Sequence, residues 1–278
     1  MNLIDGRKLA ASIRAELKER VAKMAQKPGL AIILVGDDPA SHTYVRLKER
    51  AAEEIGLHFV RCDFITSVSE ATLLKKINEL SDDPNIHGII VQLPLPTPLN
   101  ADRVVNSILP IKDADGFMKA SLDRFRVDDT ALPPVLCDGI WRLIASTGQS
   151  YKGKHAVVLA NSATFGEPMA LLLTRCGLEV QIAYPPFHHA RELTSTADVL
   201  VTATGRPHSL IADDVQPGTT IIDVGYTRLH DKDVGDVDAT ALENIPGWLT
   251  PVPGGVGPMT VAALIQRTVE LCARYAKS

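Results

Sequence analysis

Tyr44 and Lys48 stand four residues apart in S-H-T-Y-V-R-L-K. On a helix that spacing places both on one face. A phenol ring and an amine so placed can stack on a flat ligand and pass a proton. Gln92, in V-Q-L-P-L-P, puts an amide beside prolines, where it can hydrogen-bond a ligand or orient a lysine. Asp115, in K-D-A-D-G-F, can accept from an amidine or amino-pyrimidine edge. Pro253, Gly254, Gly255 and Gly257 belong to P-V-P-G-G-V-G-P-M-T, a run that suits neither helix nor central strand. An apolar helical pattern follows (Val261, Leu264, Ile265, Val269, Leu271), so this loop is expected to open a helix at Pro258 with unpaired N–H groups turned outward. Taken alone, each segment has a plainer reading. These are a solvated lysine beside a half-buried tyrosine, a proline-rich strand exit, an Asp-Gly turn, and an ordinary turn before a helix.

The elements that must position these residues follow from periodicity. Arg7–Ala25 has helical apolar spacing, and Leu30–Val35 is a continuous apolar run, the mark of a strand buried on both faces. Gly36-Asp37-Asp38-Pro39 breaks that strand, and a helix is expected from about Ser41 to Ile55. A strand at His58–Phe64, a helix at Ser69–Leu80 and a strand at His87–Val91 complete β–α–β–α–β, hence a parallel sheet with right-handed crossovers. In such sheets ligands lie beyond the carboxyl ends of the strands, where Tyr44, Lys48, Gln92 and Asp115 all fall. The polar stretch Ser121–Thr130 reads as a loosening of the pattern.

After a helix at about Cys137–Ser146, a second α/β series begins. Strands are expected at His155–Leu159, Glu179–Ala183, Val199–Ala203 and Thr219–Val224, with helices at Gly166–Cys176 and His189–Ser195. This is a Rossmann-like unit. Its nucleotide loop, L-A-N-S-A-T-F-G-E-P, has one glycine where a full fingerprint has three. Ser162 can bond a phosphate and Gly166 can let a helix end approach it. No Lys or Arg stands in the loop, and Tyr184-Pro185-Pro186-Phe187 after the next strand adds none. By charge alone a cofactor phosphate is poorly provided for. The expected domains are 1–136, completed by a C-terminal helix within 258–278, and 137–257.

The bulk numbers bound the partners. The chain has 278 residues with net charge −4, 45% hydrophobic and 22% charged. No basic stretch stands out, which argues against nucleic acid. No apolar run reaches the roughly 18 residues of a membrane span, and the start lacks a signal-peptide layout. Cys62, Cys137, Cys176 and Cys272 are dispersed and read as free thiols of a reducing cytosol. The eight His, including adjacent His188 and His189, show no metal spacing.

Together the motifs resemble the bifunctional methylenetetrahydrofolate dehydrogenase/cyclohydrolase family, nearly end to end. The resemblance rests on V-G-D-D-P-A-S-x-x-Y-V-R-x-K, G-I-I-V-Q-L-P-L-P, K-D-x-D-G-F, I-D-V-G, V-G-D-V-D and P-V-P-G-G-V-G-P-M-T. It implies two α/β domains with a folate cleft between them, a homodimer and a cytoplasmic enzyme without metal. It implies oxidation of 5,10-methylenetetrahydrofolate with NADP, then hydrolysis of the methenyl product to 10-formyltetrahydrofolate. Carried over by position, Lys48 is the catalytic lysine and Tyr44 stacks on the folate. Gln92 holds Lys48, Asp115 grips the pterin, and Pro253, Gly254, Gly255 and Gly257 shape the substrate site. Ala160, Asn161, Ser162, Gly166, Pro185 and Tyr226 fall at the cofactor positions.

The departures cluster in the second domain. Ala160-Asn161-Ser162 replaces the family's G-R-S, and Tyr184-Pro185-Pro186-Phe187 replaces H-S-R-T. The lost arginine normally helps bind the cofactor's 2′-phosphate. Other departures are Val135-Leu136-Cys137-Asp138 in the family's P-C-T-P-x-G, Met118-Lys119 for His-Pro, and Tyr226-Thr227 for Ile-Asn. NADP through other residues, NAD instead, or a cyclohydrolase or non-catalytic folate binder with a degraded dinucleotide site all stay open at this point.

Overall fold

The computed structural model describes residues 1–187 and 189–275. His188, and residues 276–278 of the expected C-terminal helix, lie outside the described residues. In chain order the elements are β1 (Asn2–Leu3), α1 (Gly6–Ala22), β2 (Gly29–Val35), α2 (Pro39–Ile55), β3 (His58–Phe64), α3 (Glu70–Asp82), β4 (Gly88–Val91), α4 (Ala101–Val105) and α5 (Lys119–Val127). They continue with α6 (Val135–Ala145), β5 (His155–Ala160), α7 (Ala163–Arg175), β6 (Glu179–Ala183), α8 (Ala190–Thr194), β7 (Val199–Ala203), β8 (Thr220–Asp223), β9 (Thr227–Leu229), β10 (Lys232–Val234), β11 (Trp248–Leu249) and α9 (Val256–Tyr275).

One compact unit comprises Ala11–Val127 and the chain from Val261. Its sheet has the order β3-β2-β4, all parallel. Every residue of β2 and β4 is buried, as continuous apolar runs require. Leu73 and Ile77 of α3 close one face over Ile33, Ile89 and Val91. Because β3 and β4 flank β2 on opposite sides, the crossovers diverge at the end of β2, and α2 starts there. The stretch expected to be loose contains α5. Its polar surface hides helical spacing, since Lys119 pairs with Asp123 and Arg126 with Asp123 at one-turn intervals, while Phe125 alone is buried.

The other unit comprises Met1–Ala10 and Asp128–Thr260. Its six-stranded sheet has the order β1-β11-β8-β7-β5-β6 and is parallel throughout. Here β5 is the strand at which the connections diverge, and α7 follows it directly. The boundaries expected at 136/137 and 257/258 fall at 127/128 and 260/261 instead, and residues 1–10 join this unit. The reason is the pairing of β1 with β11, Asn2 opposite Trp248, between strands too short to show any alternation. A hairpin of β9 and β10, also absent from the sequence reading, turns through His230 (φ 46°) and Asp231 (φ 63°). Two consecutive left-handed residues make the tight turn that suits antiparallel strands.

Candidate functional site

The first cluster grows from the end of β2. Gly36 takes φ 84°, so the chain leaves the strand sharply. Asp38 then caps α2, its carboxylate accepting from the Ser41 N–H at 2.8 Å, and Pro39 occupies the first turn. The His42 ring reaches back to the Gly36 carbonyl at 3.1 Å and to Arg61 at 3.1 Å. This fixes the direction of α2 and carries Tyr44 and Lys48 along one face, both half-buried. Lys48 Nζ donates to Gln92 Oε1 at 2.9 Å, and Gln92 Nε2 donates to the Leu93 carbonyl at 2.8 Å. The amide is therefore orientated by backbone and presents only its oxygen to the amine.

Charge completes the cluster. Burial holds the Lys48 amine below the ordinary lysine range, against the Asp115 charge, which raises it. Burial pushes the Asp115 carboxyl up, as does Asp113, while Lys48 and Arg267 pull it down. The turn role that an Asp-Gly pair suggests belongs to Asp113, not to Asp115. Asp113 accepts from Gly116 N at 2.9 Å, Met118 N at 3.2 Å and Ser121 Oγ at 2.5 Å. Asp115 is thereby left out of the turn's hydrogen bonds. The structure thus brings Lys48, Gln92 and Asp115 together.

In the other unit the glycine-proline loop is shorter than expected. The helix α9 starts at Val256, so Gly257 is already helical. The Gly255 N–H is not free but bonds the Pro251 carbonyl at 2.8 Å. Gly254 needs its φ of 125°, and Gly255 lies against Thr250 and the Pro251 carbonyl, 2.9 Å from where its Cβ would be. Pro253 is exposed.

The nucleotide loop leaves β5 at buried Ala160 and exposes Asn161 and Ser162. Ser162 precedes α7 without making a side-chain capping bond. A Cβ on Gly166, in the first turn of α7, would meet the Tyr184 hydroxyl at 2.8 Å and Ala160 Cβ at 3.0 Å, so a side chain there would have to displace the Tyr184 ring. Pro185 lies in the exposed β6 exit, and Tyr226 is exposed after β8, hydrogen-bonded to Asp233.

Comparison with known proteins bears on both clusters. The model for the tetrahydrofolate dehydrogenase/cyclohydrolase catalytic domain matches residues 4–115, and that for the family's NAD(P)-binding domain matches residues 134–276. The chain belongs to the tetrahydrofolate dehydrogenase/cyclohydrolase family. It is 42% identical to a bifunctional protein FolD of Polaromonas naphthalenivorans, over 98% of both chains. Its fold matches the bifunctional FolD enzyme of Campylobacter jejuni with a TM-score of 0.94 and 36% identity, covering 99% of each chain. A Trypanosoma brucei relative, solved with NADP and an inhibitor, matches with a TM-score of 0.95 and 30% identity, covering 99% of this chain and 98% of that one.

Two of the motifs that carry the resemblance support the strand exits beside the cofactor loop. The I-D-V-G and V-G-D-V-D motifs meet because the β9–β10 hairpin folds one onto the other. Asp223 accepts from the N–H groups of Gly225, Asp236 and Val237 at 2.9, 3.0 and 2.9 Å. Asp236, fully buried, accepts from Thr202 Oγ1, Thr204 N, Thr204 Oγ1 and Arg206 N at 2.6–3.0 Å. These carboxylates hold the exits of β7 and β8 in place. Arg206, exposed in the β7 exit, lays its guanidinium 5.8 Å from the centre of the Phe187 ring in the β6 exit. The signal that could have found it is A-T-G-R-P directly after a buried strand.

Among the described residues no group of three His, Cys, Asp or Glu could hold a metal ion, and no helix is long and apolar enough to cross a membrane.

Proposed function

We propose that this chain oxidises 5,10-methylenetetrahydrofolate with NADP and hydrolyses the resulting 5,10-methenyltetrahydrofolate to 10-formyltetrahydrofolate. The observation that carries the reading is the Lys48 amine, lowered by burial and held on Gln92, in a chain of this family. By the same family resemblance the protein acts in the cytoplasm as a homodimer and feeds purine synthesis.

The hydrolysis asks for proton transfer near neutral pH. Water adds to the cationic methenyl carbon and must lose a proton as its C–O bond forms. A neutral Lys48 amine accepts that proton, and the lowered basicity raises the neutral fraction available. The adduct's hydroxyl proton ends on N5 as the C–N5 bond breaks, leaving the formyl group on N10. Gln92 Oε1 fixes where the amine stands. Tyr44, one turn away on α2, supplies a ring for the flat pterin to stack on, and Asp115 accepts from the pterin's amino edge. The assignment of Pro253, Gly254, Gly255 and Gly257 to the substrate rests on the family resemblance alone.

The residues of the nucleotide loop fit a dinucleotide. Gly166 keeps the first turn of α7 free of a side chain beside Ala160 and Tyr184, and the start of α7 offers N–H groups and a positive dipole end to a pyrophosphate. Ala160, Asn161, Ser162 and Gly166 would hold it, with Pro185 and Tyr226 at its flanks. Held there, NADP would supply the acceptor for the hydride of the methylene carbon, and what these residues would contribute is positioning rather than an acid or base.

The test is methenyltetrahydrofolate hydrolysis, followed by absorbance, in wild type and Lys48→Ala. The expected loss is about 10²–10⁴-fold, the usual worth of a positioned proton acceptor. A variant that folds and hydrolyses at the wild-type rate removes Lys48 from the mechanism.

A further inference from the structure

We propose that Arg206, whose guanidinium lies over the Phe187 ring, is the residue through which this chain binds the 2′-phosphate of NADP. The inference rests on the NADP reading above and names the cation which that reading lacks in the loop at 160–167.

In a Rossmann-like sheet the adenosine ribose lies at the exit of the strand after the nucleotide loop. An acidic residue there favours the 2′-hydroxyl of NAD, and a nearby arginine favours the 2′-phosphate of NADP. That exit is Tyr184-Pro185-Pro186-Phe187, following β6, and it contains no acidic residue. Nor does it contain a cation of its own. The sheet order puts β6 and β7 on either side of β5. A side chain that leaves the β7 exit and touches the β6 exit must therefore pass across the end of β5, where the nucleotide loop begins. Arg206 makes that crossing, and the Phe187 ring, held at φ 61°, is where it lands.

The arrangement is built to hold a cation in place. The Arg206 N–H is anchored on Asp236 Oδ1 at 3.0 Å, and Thr204 is anchored on Asp236 Oδ2 through both its N–H and its hydroxyl. Between them Gly205 takes φ 68°, a turn that other residues resist. A planar guanidinium on an aromatic face keeps its edge donors free for an oxyanion. The neighbouring cations are engaged elsewhere. Arg191 pairs with Asp213 at 3.2 Å, and Arg228 with Asp233 at 2.8 Å. Among the described residues no carboxylate forms an ion pair with Arg206.

The experiment is calorimetric titration of NADP⁺ and NAD⁺, and of 2′,5′-ADP against 5′-AMP, into full-length wild type, Arg206→Gln, Arg206→Lys and Phe187→Ala. Thermal unfolding without ligand checks that each variant is folded. Arg206→Gln should weaken NADP⁺ and 2′,5′-ADP about ten- to a hundredfold, the worth of one charge-assisted phosphate contact, while NAD⁺ and 5′-AMP hold within about twofold. Arg206→Lys should recover part of the loss, and Phe187→Ala should fall between. The salt dependence of NADP⁺ binding should flatten in Arg206→Gln. Equal losses for NADP⁺ and NAD⁺ would mean that Arg206 serves the adenine or the pyrophosphate and would overturn the assignment. So would a variant that matches a tightly binding wild type. A wild type that binds neither dinucleotide overturns the NADP reading itself, and this inference with it.

Discussion

The carboxylate of Asp236 fills the space that a side chain on Gly225 would need, and the carboxylate of Asp223 does the same for Gly235. Each aspartate thus lies on the other's glycine, with the β9–β10 hairpin bringing the two segments together. Neither glycine has a positive φ, so the requirement is space rather than conformation. Gly225→Ala and Gly235→Ala should each cost about 2–4 kcal/mol, from overpacking together with loss of the buried hydrogen bonds. Urea unfolding midpoints measure this. Gly257→Ala is the contrast. It is helical and nothing lies within 4 Å of its Cβ, so it should leave stability unchanged or raise it by up to about 1 kcal/mol.

The pH profile of hydrolysis should report the Lys48–Asp115 pair. The neutral amine is the working form, so the rate should rise with pH and level off above a value below the ordinary lysine range. Asp115 raises that value through its charge. Asp115→Asn should therefore shift the rising limb toward lower pH, whatever it does to folate affinity. A limb that stays put or moves upward would show that the two groups are not electrostatically linked in solution.

Gln92→Ala should leave the fold intact and lower the hydrolysis rate about tenfold or more, since the amine loses the oxygen that orients it. Gln92→Glu should do something different. A carboxylate in place of the amide favours the ammonium and should push the rising limb to higher pH. Steady-state rates across pH separate the two effects.

Burial pushes the Asp223 carboxyl up to about 7, against the three N–H donors that favour its ionised form. In the unfolded chain the same group has the ordinary aspartate value of 3.8. The folded state therefore holds this proton more tightly. Its contribution to stability is complete below about pH 3.8 and is lost as pH rises through about 7. Unfolding free energies at pH 5 and pH 8 should show the loss in wild type and a smaller one in Asp223→Asn.

His87 works in the opposite direction. It is buried, its Nδ1 accepts from Gly29 N at 3.0 Å, its Nε2 has no partner, and its ring meets the edge of Tyr275 at 5.6 Å. Burial, and then the Lys112 charge, hold it below the ordinary histidine value of 6.5. The neutral ring is the folded form, so stability should fall as pH drops below about 6.5, by up to about 1.4 kcal/mol per pH unit. His87→Gln should remove that dependence, as acid unfolding curves would show.

What could be read from the chain alone follows physical range. Strands β2, β4 and β5 are buried on both faces, and their apolar runs announce them. Lys48, Gln92 and Asp115 follow from strand exits and from motifs, and three elements do bring them together. Strands β1 and β11, two residues each, carry no period at all. The helix α5 escaped because its surface charges mask a single buried ring. Arg206 escaped for another reason. Its aromatic neighbour is remote in sequence, and no local pattern encodes a stacking partner across two strand exits.

The first strand has a bearing on how the molecule comes into being. Asn2 and Leu3 pair with Trp248 and Leu249, so the whole of the intervening chain separates two neighbouring strands. The edge of the six-stranded sheet therefore forms only when two segments remote in sequence meet, a loop closure that places its completion late in folding.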